Sequence, residues 1–371
     1  MKLTIERSAL LKTLAHVQSV VERRNTIPIL SNVLMEAGDG RLSLTATDMD
    51  LTIVDSVEAV VSSAAAVTAP AHTLYDIVRK LPDGSDVEID AQDAGQMTIK
   101  AGRSTFKLQT LPQEDFPAAG IQDLPQVFGV QVDDFKSIID RTRFAISTEE
   151  TRYYLNGIYL HATEVDSKKV LRAVATDGHR LARFEMALPD GAEDMPGVII
   201  PRKTVNELRK LIDEHDAIVE VSLSDTKIRF AFGNTVLSSK LIDGTFPDYQ
   251  RVIPSGNDKR LVLHCKVFSS AVDRVSTISS EKSRAVKLSV DGNQLTLSAT
   301  SAENGSAVEE LEVDYDGTAM DIGFNSRYLL DIAQQIEGDE AIFTMADAAS
   351  PTIVQDSAEE AALYVLMPMR V

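Results

Sequence analysis

The 371-residue chain carries 56 acidic and 37 basic side chains, a formal charge of −19, with 44% hydrophobic residues and a single cysteine. That length suits two or three domains rather than one core, and the apolar and charged content is that of a water-soluble globular protein. Lone Cys265 excludes an intrachain disulfide and a thiolate metal cluster, no stretch has the length of a membrane span, and the N-terminus lacks a signal peptide's apolar run, so a cytoplasmic protein is expected.

Along the chain, MKLTIERSALLKTLAHVQSVV (1–21) reads as a short strand followed by an amphipathic helix. PILSNVLMEA (28–37) and LSLTATDMDLTIV (42–54) read as strands around a Gly38-Asp39-Gly40 hairpin, because Gly and Asp accept positive φ cheaply. A second helix, HTLYDIVRKL (72–81), precedes strands that end in FKLQTLPQEDFP (106–117). The same order then returns twice.

FGVQVDDFKSIIDRTRFAI (128–146) and LVLHCKVFSSAVDRVSTI (261–278) again place strand before helix. YYLNGIYLHA (153–162) and RAVKLSV (284–290) lead into LRAVATDGHRLARF (171–184) and LTLSATS (295–301), so an Ala-Thr pair begins at 46, 175 and 299. Second helices recur as RKTVNELRKLI (202–212) and NSRYLLDIAQQI (325–336), and last strands as LSSKLIDGTFPDY (237–249) and LYVLMPMRV (363–371). A threefold repeat follows, each copy two helices on an antiparallel sheet, an α+β class. Boundaries are expected near 120–126 and 253–260, giving domains 1–122, 127–253 and 254–371.

Asp177, His179 and Arg180 lie within one short stretch, and such a cluster can act as general base and anion holder. The repeat argues otherwise, because TDMDLT and TSAENG occupy the corresponding hairpin tips, where Asp organises a turn. Phosphate-loop, nucleophile-elbow and zinc-protease motifs do not occur, and the histidines at 16, 72, 161, 179, 215 and 264 show no ligand spacing. No catalysis, cofactor or metal is expected.

Charge sorts by element. Arg7, Lys12, Arg23, Arg24, Arg79, Lys80, Lys136, Arg141, Arg143, Arg202, Lys203, Arg209, Lys210, Lys266, Arg274 and Arg327 outnumber the acids of the six helical segments, on a chain that is acidic as a whole. Helices facing one way would offer a weakly basic surface suited to a phosphate backbone, with an acidic exterior repelling nucleic acid elsewhere. No recognition helix is present, so base-specific readout is not expected.

RRNTIPILSNVL, RYYLNGI, ATDGHRLA, IPRK, SSKLIDGTFPDYQRV, GFNSRYLLD and YVLMPMRV together resemble the bacterial DNA polymerase sliding clamps along essentially the whole chain. The resemblance implies three clamp-type domains per chain and a head-to-tail homodimer, a ring whose helices line a hole around double-stranded DNA. It implies a non-enzymatic processivity factor, bound through short linear peptide motifs by the replicative polymerase, the clamp loader and repair polymerases, with no membrane role.

By the same resemblance the partner-peptide groove comprises Leu155, Thr176, Gly178, His179, Arg180, Leu181, Pro247, Arg251, Val252, Asn325, Tyr328, Val365, Met367, Pro368, Met369 and Arg370. Its Leu, Val, Pro and Met make an adaptable apolar slot, while Arg and His meet the polar end of a motif. DNA contact falls to Arg24, Arg152, Tyr153, Tyr154, Arg202 and Lys203, although Glu149 and Glu150 beside the tyrosines, and His72-Thr73 at the second helix, lower the local attraction for phosphate. The dimer seam is expected to set Arg103, Phe106, Lys107 and Leu108 against Ile278, Glu303, Glu309 and Glu310, an apolar centre with complementary charge.

Overall fold

A computed structural model describes residues 1–92, 95–117, 123–214, 218–280 and 284–371; His215 and residues 120–122 of the expected first boundary lie outside them. The described residues contain six α-helices: α1 (Arg7–Gln18), α2 (Ala71–Lys80), α3 (Val132–Thr142), α4 (Arg202–Ile212), α5 (Cys265–Ser276) and α6 (Ser326–Ala333). None is long and apolar enough to cross a membrane. The chain forms two compact units, Met1–Phe135 with Pro189–Met195 and Lys203–Leu241, and Lys136–Leu188 with Pro196–Arg202 and Ile242–Val371.

Local chemistry sets the helix ends. Glu6 caps α1 by accepting the Ala9 N–H at 3.0 Å, and Leu10, Leu14 and Val17 form its buried stripe. The helix stops at Gln18, where the Ser19 hydroxyl donates to the His16 carbonyl at 3.1 Å. Glu22, Arg23 and Arg24, counted with this helix in the sequence, therefore lie in the loop beyond it, and Arg143 belongs to a 3-10 turn, Arg143–Ala145. Asn325 caps α6 by accepting from Arg327 N at 3.0 Å.

The first unit holds a five-stranded sheet, in the order Val60–Ser63, Lys2–Glu6, Asp86–Asp90, Gln96–Ala101, Ser104–Gln109, and an eight-stranded sheet. The eight-stranded sheet joins two sequence repeats, because Thr235–Lys240, the last strand of repeat two, pairs antiparallel with Leu51–Glu58 of repeat one. In the second unit a nine-stranded sheet does the same: Ala362–Leu366, the last strand of repeat three, pairs with Arg180–Ala187 of repeat two. A four-stranded sheet of repeat three completes it, with Gly305–Glu312 at one edge and Met320–Asn325 at the other.

The two joins share one register. Leu237 faces Ile53 in the first and Tyr364 faces Ala182 in the second, and Ile53 and Ala182 in turn face Ala46 and Ala175, the alanines of the repeated Ala-Thr pair. A row of buried side chains runs through each join, Phe128, Val221, Phe230 and Leu237 in one, and Leu261, Phe343, Val354 and Tyr364 in the other. The matching row of repeat one, Leu3, Ile89, Ile99 and Phe106, ends on an edge strand with no second neighbour in its sheet among the described residues.

Candidate partner groove and open sheet edges

The hairpin tips settle what Asp177 does. Its Oδ1 accepts the N–H groups of His179 at 2.9 Å and Arg180 at 3.0 Å, and Asp48 does the same for Asp50 and Leu51 in repeat one. Gly178, with φ +87°, and Met49, with φ 79°, take the left-handed position between them. Two hairpins of one build leave Asp177 occupied as a turn organiser.

Arg180 is buried, and each of its guanidinium nitrogens has a partner. Its guanidinium donates to Asp177 at 3.2 Å, Asp331 at 2.5 Å and the Phe144 carbonyl at 2.6 Å, and lies over the Tyr328 ring at 4.4 Å. Such a charge-assisted set makes Arg180 a pin between two repeats, with each of its three guanidinium nitrogens donating one hydrogen bond inside the protein. His179 is exposed and stacks on Tyr328 with centroids 6.4 Å apart.

Around this pin the second unit gathers most of the groove candidates. Leu155, Leu181 and Val365 belong to one apolar cluster with Val174, Ile199, Phe246, Tyr249 and Leu363, and Leu181 faces Val365 across the strands. Pro247, Arg251 and Val252 are exposed on the segment after Phe246, with Arg251 ion-paired to Asp248 at 2.8 Å. The tail is held at two points: Met367 N donates to His179 O at 2.9 Å, and Met369 N to Gly323 O at 2.8 Å. Met367 and Arg370 remain exposed, Pro368 and Met369 half-buried, and Asn325 serves as the α6 cap. Thr176 accepts the Gly178 N–H at 3.1 Å and donates to Arg180 O at 2.7 Å.

The candidate DNA contacts divide by their partners. Arg24 and Arg202 are exposed and form no ion pair among the described residues. Lys203 bonds both Glu22 and Asp48 at 2.6 Å, and these carboxylates hold its ammonium above the ordinary value against the opposing pull of burial. Arg152 is clasped by Glu149, with bonds of 2.8 and 2.6 Å, which raises its pKa in the same way. Tyr153 is 53% exposed and meets Tyr154 edge to face at 5.8 Å. The acids beside these residues, visible in the sequence, thus act as ion-pair partners.

Of the seam candidates, Phe106 and Leu108 are half-buried on the edge strand Ser104–Gln109, with Arg103 and Lys107 exposed beside them. Glu309 and Glu310 lie on the edge strand Gly305–Glu312, Glu303 in the preceding turn, and Glu309 already bonds Arg274 at 2.5 and 3.1 Å. Ile278 is half-buried beyond α5. The first set lies in the first unit and the second set in the other.

Three copies of a two-helix, antiparallel-sheet module, linked at two joins in which one copy's last strand extends the sheet of the copy before it, define a clamp-type protein. The chain matches the DNA polymerase III β-subunit models for the N-terminal domain over 1–120, the central domain over 129–248 and the C-terminal domain over 250–370. Curated beta sliding clamps of Caulobacter vibrioides and Escherichia coli are 56% and 39% identical to it, each over the full length of both chains. Among solved structures, the sliding clamp of Bartonella birtlesii bound to griselimycin has TM-score 0.98 at 52% identity, and that of Caulobacter crescentus 0.95 at 55%, both over the whole of each chain.

The chain belongs to the bacterial DNA polymerase III β-subunit family. It is a DNA sliding clamp, a processivity factor for the polymerase that carries out no reaction of its own.

Proposed function

We propose that two copies of this chain close head to tail around duplex DNA, and that partner proteins dock on the groove formed by Leu155, Leu181, Val365 and the segments bearing Pro247, Arg251, Val252 and Met367–Arg370. The tether is topological. Phosphate contacts from Arg24 and Arg202, with Arg152 and Lys203 offering charge already shared with carboxylates, attract DNA without fixing a register, since each firm contact would raise the barrier to sliding. Domains of 1–122, 127–253 and 254–371, a cytoplasmic setting, and use of the groove by polymerase, loader and repair factors complete the reading. Griselimycin, bound by the Bartonella birtlesii relative, is the proposed small-molecule ligand of that groove.

The observation that carries this reading is the common register of the two internal joins. In both, the last strand of one repeat pairs with the strand after the Ala-Thr hairpin of the preceding repeat. Repeat one keeps a free last strand, Ser104–Gln109, and repeat three a free post-hairpin strand, Gly305–Glu312, whose Ala307 faces Ala299 as Ile53 faces Ala46. Transferring the register sets Phe106 opposite Ala307, Ser104 opposite Glu309 and Arg103 opposite Glu310 of a second copy. One chain has one of each edge, so two chains and two such seams satisfy both.

The residues beside the joins support the same pairing. Val20, which follows α1 by the interval at which Ile278 follows α5, is fully buried and its carbonyl accepts from Lys203 of repeat two at 3.4 Å, whereas Ile278 is only half-buried. A cavity of about 390 Å³ beside Phe106, lined by Thr73, Ile77, Lys80 and Leu81, is the recess such a side chain would fill. The test is retention: labelled protein loaded on circular duplex should stay through a salt wash and leave once the circle is cut. Equal retention on linear and circular DNA would remove the ring.

A further inference from the structure

The segment that carries Pro247, Arg251 and Val252 is poorly held by its own backbone. It is a four-residue 3-10 turn, Tyr249–Val252, without a side-chain cap, and its flanking bonds are long, 3.4 Å from Arg251 N to Asp248 O and 3.3 Å from Ile253 N to Gln250 O. Pro247, Arg251 and Val252 are exposed. Their positions must be set from below.

Tyr249 is the buried residue of that turn, and its hydroxyl sits in a polar bracket. Arg172 Nη1 donates to it at 2.8 Å, and His161 Nε2 lies 3.0 Å away. The partners assign the protons. Arg172 has only donors, so the Tyr249 oxygen accepts from it and the Tyr249 O–H donates to His161 Nε2. His161 then carries its proton on Nδ1, which donates to the Ala162 carbonyl at 3.2 Å. Behind the bracket, Glu185 binds Arg172 at 2.6 Å and Arg183 at 3.1 Å. Strand register explains the meeting: His161 faces Arg172 and Arg172 faces Glu185 along one row of the sheet.

Four rings close a circuit around the bracket. Centroids are 4.6 Å apart for Tyr159 and His161, 4.9 Å for Tyr159 and Phe246, 6.4 Å for Phe246 and Tyr249, and 5.9 Å for His161 and Tyr249. Phe246 and Tyr249 flank Pro247 in sequence, so the circuit grips both ends of the exposed stretch that begins the groove wall. Stacked rings resist sliding, and the bracket fixes rotation.

We propose that Tyr249, oriented by Arg172 and His161, is the positioning residue that fixes the Pro247–Val252 wall of the partner groove. The role rests on the groove reading above. Burial and the neighbouring Arg172 hold His161 below its ordinary pKa, against the Ala162 carbonyl and Glu185, so it is neutral at neutral pH. Protonation replaces the Nε2 acceptor with a second donor aimed at the Tyr249 oxygen, and the hydroxyl hydrogen loses its partner. Of the groups around His161, Arg172 opposes that protonation, Glu185, which also pairs with Arg183, favours it, and Tyr159 stacks on the ring without charge.

The experiment titrates griselimycin into four forms of the full-length protein by calorimetry, between pH 5 and 8: wild type, Tyr249→Phe, His161→Gln, and a chain ending at Leu366. Tyr249→Phe keeps the ring but strands two buried polar groups, and it should bind about tenfold more weakly at pH 7.5, the order expected for one lost buried hydrogen-bond set. DNA retention should be unchanged. Wild-type affinity should fall only on the acid side of pH 6.5, and His161→Gln, whose amide oxygen still accepts from Tyr249, should bind like wild type at pH 7.5 and lose the acid-side fall. Wild-type affinity in Tyr249→Phe, or the same acid-side fall in His161→Gln, overturns the positioning role while the groove stands. Binding that survives removal of Met367–Val371 overturns the groove reading, and the positioning role with it.

Discussion

If the open edges of repeats one and three meet in the register of the internal joins, Thr105 faces Val308 of a second copy, as Val236 faces Val54 and Leu363 faces Arg183 within the chain. Directly opposed residues on antiparallel strands have Cβ atoms about 4.5–5.5 Å apart, a short adjustment from the 3.5–4.5 Å of a disulfide, whereas the diagonal neighbour two residues on stands about 7–8 Å away. A chain carrying Thr105→Cys and Val308→Cys should therefore oxidise to a covalent dimer, and one carrying Thr105→Cys and Glu310→Cys should not. A slip of one residue would put the thiols on opposite faces. Val308 is 66% exposed in the single chain, so neither substitution opens a core.

The background is low, because Cys265 is buried and its thiol is pushed up to about 11 by desolvation, which keeps it protonated and inert at pH 8. Denaturing electrophoresis after mild oxidation reads the yield. Two seams close together, so the cross-linked ring should also resist release from circular DNA in high salt, yet leave when the DNA is cut. Cross-linking of the 105–310 pair equal to that of the 105–308 pair would refute the transferred register.

Two further outcomes follow from buried contacts. His16 bonds Asp55 at 2.6 Å and lies 3.4 Å from Glu214; burial disfavours its charge, but the two carboxylates outweigh it and raise its pKa above 6.5. The raised folded-state value makes this stabilisation complete below the unfolded pKa and lost as pH rises through the folded one. His16→Asn, which leaves Asp55 buried without its cation, should cost about 3 kcal/mol at pH 6 and less at pH 9, measured by urea unfolding. Separately, a Cβ at Gly323 would overlap the Val371 side chain and stand 2.6 Å from Met369 O, so Gly323→Val should dislodge the tail and weaken griselimycin at least tenfold, about 1.4 kcal/mol, without changing dimerisation. Unchanged affinity by calorimetry would separate the tail's backbone from the groove.

Much of the fold is legible in the sequence because its signals are local. The Asp39-Gly40 and Gly292-Asn293 turns, the alternation in 219–241 and the stripe of Val267, Phe268, Ala271, Val272, Val275 and Ile278 each declare an element within a few residues, although Val267 is exposed and Ile278 lies past the end of α5. The joins between repeats are not legible in this way. Leu51–Glu58 meets Thr235–Lys240 across most of two repeats, and a post-hairpin strand reads the same whether its neighbour is local, distant or in another chain. The site divides likewise. Leu181 and Val365 are apolar residues of strand segments buried on both faces, whereas Arg180 looks like a free ligand group until Asp331 and Phe144 arrive from remote segments. The cation in the third turn of each first helix, His16, Arg141 and Arg274, carries a signal of its own: the first pairs with Asp55 on a join strand, the second with Glu337 and Glu359 of the following repeat, and the third with Glu309 on an open edge.

Pairing also changes how a clamp with this charge pattern holds DNA. The sequence suggests a basic lining built from helix residues, yet Lys12, Arg79, Arg141, Lys203, Lys210 and Arg274 all bond carboxylates, and Arg24, the leading candidate for DNA contact, lies outside any helix. A cation already neutralised nearby releases few counterions on meeting a phosphate, so on the proposed reading these six add little to DNA affinity on a chain of charge −19. In the proposed ring, residence on DNA would then depend on how rarely a seam opens rather than on grip, and the strength of the two edge-to-edge joins would set processivity.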